Sequence, residues 1–163
     1  NFIYFYGGAP GTSSSPVSDL FMMDTTKDPA SEDQWSPVTP ASGSVTPTAV
    51  MGCAAVVANG KLLIFGGATA ARGASPTALI QSFDIGTNVW EPSPGSLTVA
   101  RSRLSAVLLK DFVFVIGGTT NSGTASSAKA EVFDVTAKTV KAIANMPTPR
   151  FGLLSNSSRL LSQ

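Results

Sequence analysis

The feature that most constrains this chain is a short apolar segment ending in two glycines, which occurs three times. The copies are Phe2–Gly8, Lys61–Gly67 and Phe112–Gly118, and they stand about 50 to 60 residues apart. Each copy is almost continuous in β-branched, leucine and aromatic residues, a composition typical of a strand that is buried on both faces. The chain is therefore predicted to repeat one β-structured unit. The paired glycines are Gly7, Gly8, Gly66, Gly67, Gly117 and Gly118.

Each pair of glycines is followed by a loop and then by a second apolar strand that ends in aspartate. The loops are rich in Gly, Ser, Thr and Ala, and the aspartates are Asp24, Asp84 and Asp134. A third predicted strand carries a tryptophan in the first two units, whereas valine stands in the equivalent place of the third unit. These residues are Trp35, Trp90 and Val140.

A strand of small apolar residues then opens the next unit, as in Cys53–Val57 and Leu104–Leu109. A tight turn leads from this strand back into the next double-glycine strand. At Asn59 and Gly60 the turn is the dipeptide that most strongly indicates a two-residue hairpin. Each unit is therefore predicted to be a meander of four antiparallel strands over about 50 residues.

With its double glycines, strand-end aspartates and downstream tryptophans, the chain resembles the kelch-repeat family over essentially its whole length. Arg101 and Arg150 match the arginine that often precedes the innermost strand in that family, whereas Val50 stands there in the second unit. The resemblance implies an all-β fold of β-propeller blades, each a four-stranded antiparallel sheet, with about three blades in this chain. Trp35 and Trp90 are expected to fill the gaps between neighbouring blades.

The repeat divides the chain into four segments. Residues 1–50 are expected to form a blade that lacks its innermost strand, residues 51–99 a second blade, and residues 100–148 a third. Residues 149–163 are expected to supply an innermost strand to another blade. Because propellers typically have 4 to 8 blades, we interpret the chain as half of a six- or seven-bladed ring. The remaining blades come either from a longer chain or from a second copy, and in both cases the free strand edge needs a partner.

Composition argues against several classes of function. The net charge is +1 and the basic residues are scattered, whereas a nucleic-acid groove needs clustered cations. No apolar run approaches the roughly 18 to 20 residues needed to span a bilayer. Histidine is absent and Cys53 is the only cysteine, which removes an internal disulfide, a thiolate metal cage and the commonest general base. We therefore predict no nucleic-acid partner, no membrane span, no metal and no cofactor.

The loops that follow the double glycines are the best candidates for function. All three emerge on the same face, and loops on a rigid scaffold commonly carry binding residues. Within them Arg72, Asn121 and Lys129 are the candidate binding residues. The strand-end aspartates are interpreted as acceptors of backbone N–H bonds in the following turns, rather than as a metal ring. Asn156 begins the only glycosylation sequon, in a predicted inner strand where a glycan would not fit.

These observations favour a non-catalytic binding or scaffold module that engages a protein or a glycan through the loops. One alternative is a fragment of a larger secreted enzyme of the galactose-oxidase type, whose catalytic residues would lie outside this chain. Such copper enzymes need histidines and a Tyr–Cys crosslink, whereas here Tyr4 and Tyr6 share one strand and Cys53 lies on another. A second alternative is a structural subunit of a larger assembly. The low content of Cys, Lys and Glu indicates an extracellular or cell-surface protein, with the cytoplasm as the alternative.

Overall fold

A computed structural model of the chain describes residues 1–11, 14–28, 30–31, 34–121 and 125–153. Within these ranges the fold is all-β, and its main sheets are antiparallel and stacked face to face. Among the described residues no helix has the length and apolar character needed to cross a membrane. The predicted class, blades of antiparallel sheet, is confirmed.

Three main sheets follow one another along the chain. The first sheet consists of β1 (Phe2–Tyr6), β2 (Leu20–Asp24) and β3 (Trp35–Pro37), paired in that order. The second sheet consists of β4 (Ala54–Ala58), β5 (Lys61–Phe65), β6 (Leu79–Asp84) and β7 (Val89–Ser96), also paired in that order. A short 3-10 helix, Ala71–Gly73, lies in the loop between β5 and β6.

The third sheet repeats the second, with a small hairpin inserted in its loop. It begins with β8 (Ser105–Leu109) and β9 (Phe112–Ile116). The hairpin β10 (Thr119–Thr120) and β11 (Ala125–Ser126) follows, and β12 (Ala130–Asp134) and β13 (Thr139–Ile143) complete the sheet. Its order is β8–β9–β12–β13. The predicted innermost strand over residues 149–163 falls largely outside the described residues, and so does Asn156.

Two apolar clusters hold the sheets together, and we call the two contact zones the first and second junctions. The first junction joins the first sheet to the second, and the second junction joins the second sheet to the third. The first contains Tyr4, Tyr6, Leu20 and Val38 against Leu62, Ile64, Phe83 and Trp90. The second contains Leu63, Phe65 and Ile80 against Val113, Val115, Phe133 and Val140.

The double glycines connect each sheet to the segment that enters the next one. The second glycine of each pair donates its N–H at 2.9 Å to a carbonyl of that segment, and the acceptors are Val50, Arg101 and Arg150. A Cβ added at Gly66 would lie 2.5 Å from the Arg101 carbonyl oxygen, and the φ of Gly66 is +59°. Only glycine combines this left-handed backbone with so close an approach. We call this repeated contact the glycine joint.

Each strand-end aspartate accepts backbone N–H bonds in the turn that follows it. Asp24 Oδ1 accepts from Thr26 and Asp84 Oδ1 from Thr87, both at 2.9 Å. Asp134 Oδ1 accepts the N–H groups of Thr136 and Ala137, at 2.9 and 2.8 Å. These carboxylates therefore order the turns at the end of the sheets that lies away from the double-glycine loops.

The two tryptophans differ in their surroundings. Trp90 is 2% exposed and its ring centroid lies 4.9 Å from that of Tyr6 in the first sheet. Trp35 is 47% exposed and contacts Phe5 of its own sheet at 4.5 Å. For Trp35, the filling of a gap between blades therefore stays a prediction. Trp35 lies on the face of the first sheet that points away from the second, where no described sheet covers it.

Candidate binding face

The three binding residues expected from the sequence all lie exposed after double glycines, but the structure does not bring them together. Arg72 lies within the 3-10 helix with a φ of 60°. Asn121 follows β10 with a φ of 45°. Lys129 precedes β12, and its backbone carbonyl accepts the N–H of Gly117 at 2.9 Å. Arg72 accepts, through its backbone carbonyl, a hydrogen bond from another cationic residue of this face.

That residue is Arg103, which lies at the same end of the sheets because it precedes β8. Its φ is 52°. The positions equivalent to it, two residues after Val50 and Arg150, are Gly52 and Gly152, with φ values of 61° and 65°. Arg103 is thus an arginine in a left-handed conformation that the other two units assign to glycine.

Backbone hydrogen bonds hold these three positions in a row. The N–H of Arg103 donates to the Gly52 carbonyl at 2.6 Å, and the N–H of Gly152 donates to the Arg103 carbonyl at 3.0 Å. The segments that enter successive sheets are therefore linked directly where they approach the loop face. Because the N–H and the carbonyl of Arg103 both form hydrogen bonds, the position of its backbone is fixed, and so is the direction in which its side chain leaves the backbone.

The Arg103 side chain reaches across to its neighbours on both sides. Its Nη2 donates to the Arg72 carbonyl oxygen at 3.3 Å. Its guanidinium carbon lies 5.9 Å from the ring centroid of Phe151, within the range of a cation–π contact. The group formed by Arg72, Arg103 and Phe151 is the candidate binding site, and we call it the arginine patch.

The charges of the arginine patch are not neutralised within the described chain. Neither Arg72 nor Arg103 forms an ion pair in those ranges, and both side chains are exposed. A guanidinium presents N–H donors in a planar fork that matches a carboxylate. The arrangement is therefore suited to bind an anionic group beside an apolar one, and it offers no nucleophile or general base.

Arg101 lies two residues from Arg103 but is fully buried. Its Nη1 donates to the carbonyls of Gly117 and Lys129, at 2.7 and 2.9 Å, and its Nη2 bonds to the Glu131 carboxylate. Burial lowers the pKa of the Arg101 guanidinium, and the Glu131 charge opposes that effect. Arg101 therefore holds the second junction and does not belong to the binding face.

Arg150 takes part in the third glycine joint through its backbone. Its carbonyl accepts the N–H of Gly118, and its own N–H donates to Ser127 at 3.2 Å. Its side chain is exposed. The described residues contain no group of three or more His, Cys, Asp or Glu side chains that could hold a metal ion. Cys53 is a free thiol, and burial raises its pKa.

The sequence reasoning missed Arg103, although a signal for it exists. When the units are aligned on Val50, Arg101 and Arg150, glycine stands two residues later in two units and arginine in the third. A charged residue in a glycine position indicates a role for its side chain.

Comparison with known proteins agrees with this architecture. A family model described as the KLHDC2/KLHL20/DRC7 Kelch-repeats domain matches residues 1–157. No curated protein matches the chain. The match covers all three sheets and the whole arginine patch.

Proposed function

The chain belongs to the kelch-repeat family, and we propose that it binds an acidic segment of a partner protein at the arginine patch. Kelch-repeat domains serve as protein-binding or scaffold modules. The observation that carries the proposal is the left-handed backbone of Arg103, with its φ of 52° at a position where the other units have glycine.

The conformation of Arg103 is costly, which argues for a use of its side chain. A left-handed backbone costs an L-residue other than glycine roughly 1 to 2 kcal/mol. Such strain persists only where the surrounding structure compensates for it, and it is concentrated at binding and active sites. The Arg103 guanidinium accounts for little stability by itself, since it is exposed and its polar contacts within the described chain are one long hydrogen bond and one ring contact. Binding of a ligand by the guanidinium would explain why arginine, and not glycine, occupies this left-handed position.

The chemistry of the arginine patch favours a carboxylate on a peptide. Two guanidinium groups without a carboxylate partner in the described chain attract an anion, and their planar forks suit a carboxylate. Phe151 is half-exposed beside Arg103, so an apolar neighbour of the acidic residue gains a contact as well. A neutral glycan would use the ring but would gain nothing from the charges.

The test uses the native chain and a random peptide library displayed on phage. We expect selected peptides to be rich in Asp and Glu, and their binding to weaken as salt is added, since exposed charges are screened. Arg103→Gly restores the glycine of the other two units and removes only the side chain. We expect this variant to fold normally and to bind the selected peptides about tenfold more weakly, measured by calorimetry.

Lys110→Gly is the matched control. Lys110 is exposed, has a φ of 56° and lies in the turn between β8 and β9, at the other end of the sheet. The substitution removes one positive charge and one left-handed side chain, as Arg103→Gly does, but it leaves the loop face intact. Equal losses in both variants, or selected peptides without acidic residues, would refute the proposal.

A further inference from the structure

The second junction contains a cavity of about 450 Å³. It opens at the end of the sheets opposite to the arginine patch, next to the turn between β4 and β5. Its walls include Leu63, Ser82 and Glu91 from the second sheet and Phe133 from the third. We call it the junction cavity. It is separate from the site of the proposed function.

Phe133, which lines the cavity, lies opposite the strand position at which the third unit lacks the tryptophan of the second unit. Trp90 pairs with Phe83 across β6 and β7, and Val140 pairs with Phe133 across β12 and β13. Directly opposed residues of antiparallel strands lie on the same face. Val140 therefore occupies the place of Trp90 and is smaller by most of an indole ring.

One wall of the cavity matches part of the surroundings of the Trp90 ring. In the first junction that ring lies beside Phe83 of its own sheet and Tyr6 of the first sheet. Phe133 is equivalent to Phe83 by register and lines the cavity. The cavity is thus bounded by the aromatic ring whose cross-strand partner in the third unit is only Val140.

One wall of the cavity offers a hydrogen-bond acceptor. Glu91 accepts from Lys61 Nζ at 2.5 Å and from Ser82 Oγ at 2.9 Å. A carboxylate has about four lone-pair sites, so Glu91 retains the capacity to accept another donor. Lys61 also pairs with Asp84 at 3.0 Å, and Lys138 lines the opposite side of the cavity. Two ammonium groups thus balance two carboxylates, which favours a neutral ligand.

We propose that the junction cavity binds a small, neutral, planar aromatic molecule with one N–H or O–H donor. The ring lies between Leu63 and Phe133, and the donor bonds to the Glu91 carboxylate. The volume falls within the range of about 300 to 1,000 Å³ that is usual for small-molecule sites. Apolar walls with one well-placed polar group are also usual for such sites. The ligand replaces the indole that the third repeat lacks.

The experiment titrates the native chain with indole and follows backbone amide shifts by NMR. We expect saturable binding with shifts confined to residues around the cavity. Val140→Trp fills the space from within and should weaken indole binding at least about tenfold. Lys141→Trp is the matched control, because it places the same side chain one residue along β13, on the other face, and should leave indole binding unchanged.

A second ligand tests the hydrogen bond to Glu91. The compound 1-methylindole keeps the ring but has no N–H donor, so it should bind about tenfold more weakly than indole. If Val140→Trp does not fold, Val140→Phe serves in its place, with a smaller ring on the same face. Absence of saturable indole binding, unchanged binding in the filled variant, or equal affinity for both ligands would each overturn the proposal.

Discussion

The first and second junctions share one backbone arrangement and differ in the side chains that complete it. In the first, Gln81 Oε1 accepts the N–H of Thr48 at 2.6 Å. In the second, Glu131 Oε1 accepts the N–H of Thr98, also at 2.6 Å. The residue in the glycine joint is Val50 in the first junction and Arg101 in the second. A neutral pair and an ion pair thus occupy the same structural position.

The junctions also differ in how completely they are filled. The cavities of the first junction are the smaller ones, at about 170 and 240 Å³. There Trp90 packs against Tyr6, and the Tyr6 hydroxyl donates to the Thr48 carbonyl at 2.7 Å. Burial raises the pKa of this hydroxyl well above its usual value. The second junction has Val140 in place of the tryptophan and contains the junction cavity. The main chain therefore sets how the sheets stack, while the side chains decide how large a cavity each junction contains.

The largest effect is expected from breaking the buried ion pair of the second junction. Glu131→Gln leaves the Arg101 guanidinium buried without its carboxylate. We expect the free energy of unfolding to fall by about 3 to 5 kcal/mol, measured by urea denaturation. The double variant Arg101→Val with Glu131→Gln installs the neutral pair of the first junction and should lie within about 1 kcal/mol of the native chain.

The double variant tests directly whether a neutral pair can replace the buried ion pair. Burying an ion pair carries a desolvation cost, and Arg101 Nε has no hydrogen-bond partner among the described atoms. If the double variant is as unstable as Glu131→Gln alone, the two junctions are not interchangeable and the comparison fails.

A smaller loss of unfolding free energy is expected when Trp90 of the first junction is replaced by valine, the residue at the equivalent position of the second junction. Trp90→Val creates a cavity beside Phe83 and Tyr6, and we expect it to cost about 3 kcal/mol of unfolding free energy. Trp35→Val is the control, because Trp35 is 47% exposed and should cost less than about 1 kcal/mol. Equal losses in the two variants would show that Trp90 stabilises the first junction no more than an exposed tryptophan stabilises its sheet.

The smallest effect concerns Asp84 and Glu91, the two carboxylates that form ion pairs with Lys61. The ammonium group of Lys61 lowers the pKa of Asp84 from 3.8 to about 2 and also lowers the pKa of Glu91. A carboxyl with a lowered pKa in the folded state stabilises the fold above its ordinary pKa and loses that contribution as pH falls. We expect the melting temperature to decrease from about pH 4 to about pH 2.

Lys61→Met removes the cause of these lowered pKa values, so the decrease in melting temperature over this pH range should become shallower. Lys138→Met also removes a charge from the cavity, but Lys138 forms no ion pair within the described residues, so this variant should leave the slope unchanged. Circular dichroism melts at several pH values measure both variants. An unaltered slope in Lys61→Met would contradict the assignment.

Much of the fold could be predicted because each unit restates the same local chemistry. The apolar runs, the Asn59–Gly60 turn and the strand-end aspartates each depend on neighbours that are near in sequence. Three copies of such a pattern reinforce one another. Trp90 was placed correctly between sheets for the same reason, since its unit has a described sheet beside it.

The features that the sequence did not predict depend on contacts between residues that are distant in sequence. Trp35 matches Trp90 in sequence, yet its exposure is set by what lies opposite its face. The pairing of Arg101 with Glu131 joins residues from a connecting segment and a strand, and requires the register of β12. The role of Arg103 requires its φ angle, and the junction cavity requires the spacing of the second and third sheets. Each of these is a property of the assembled sheets.

The glycine joint has a consequence for how such a chain can change over time. Its donor is a main-chain N–H and its acceptor is a main-chain carbonyl, so the contact does not depend on which side chain the acceptor residue carries. Val50, Arg101 and Arg150 all satisfy it at 2.9 Å. Successive units can therefore diverge at this residue, one becoming neutral and another charged, without losing their alignment. The backbone geometry of the joint restricts the two glycine positions, whereas the side chain of the acceptor residue is free to differ from one unit to the next.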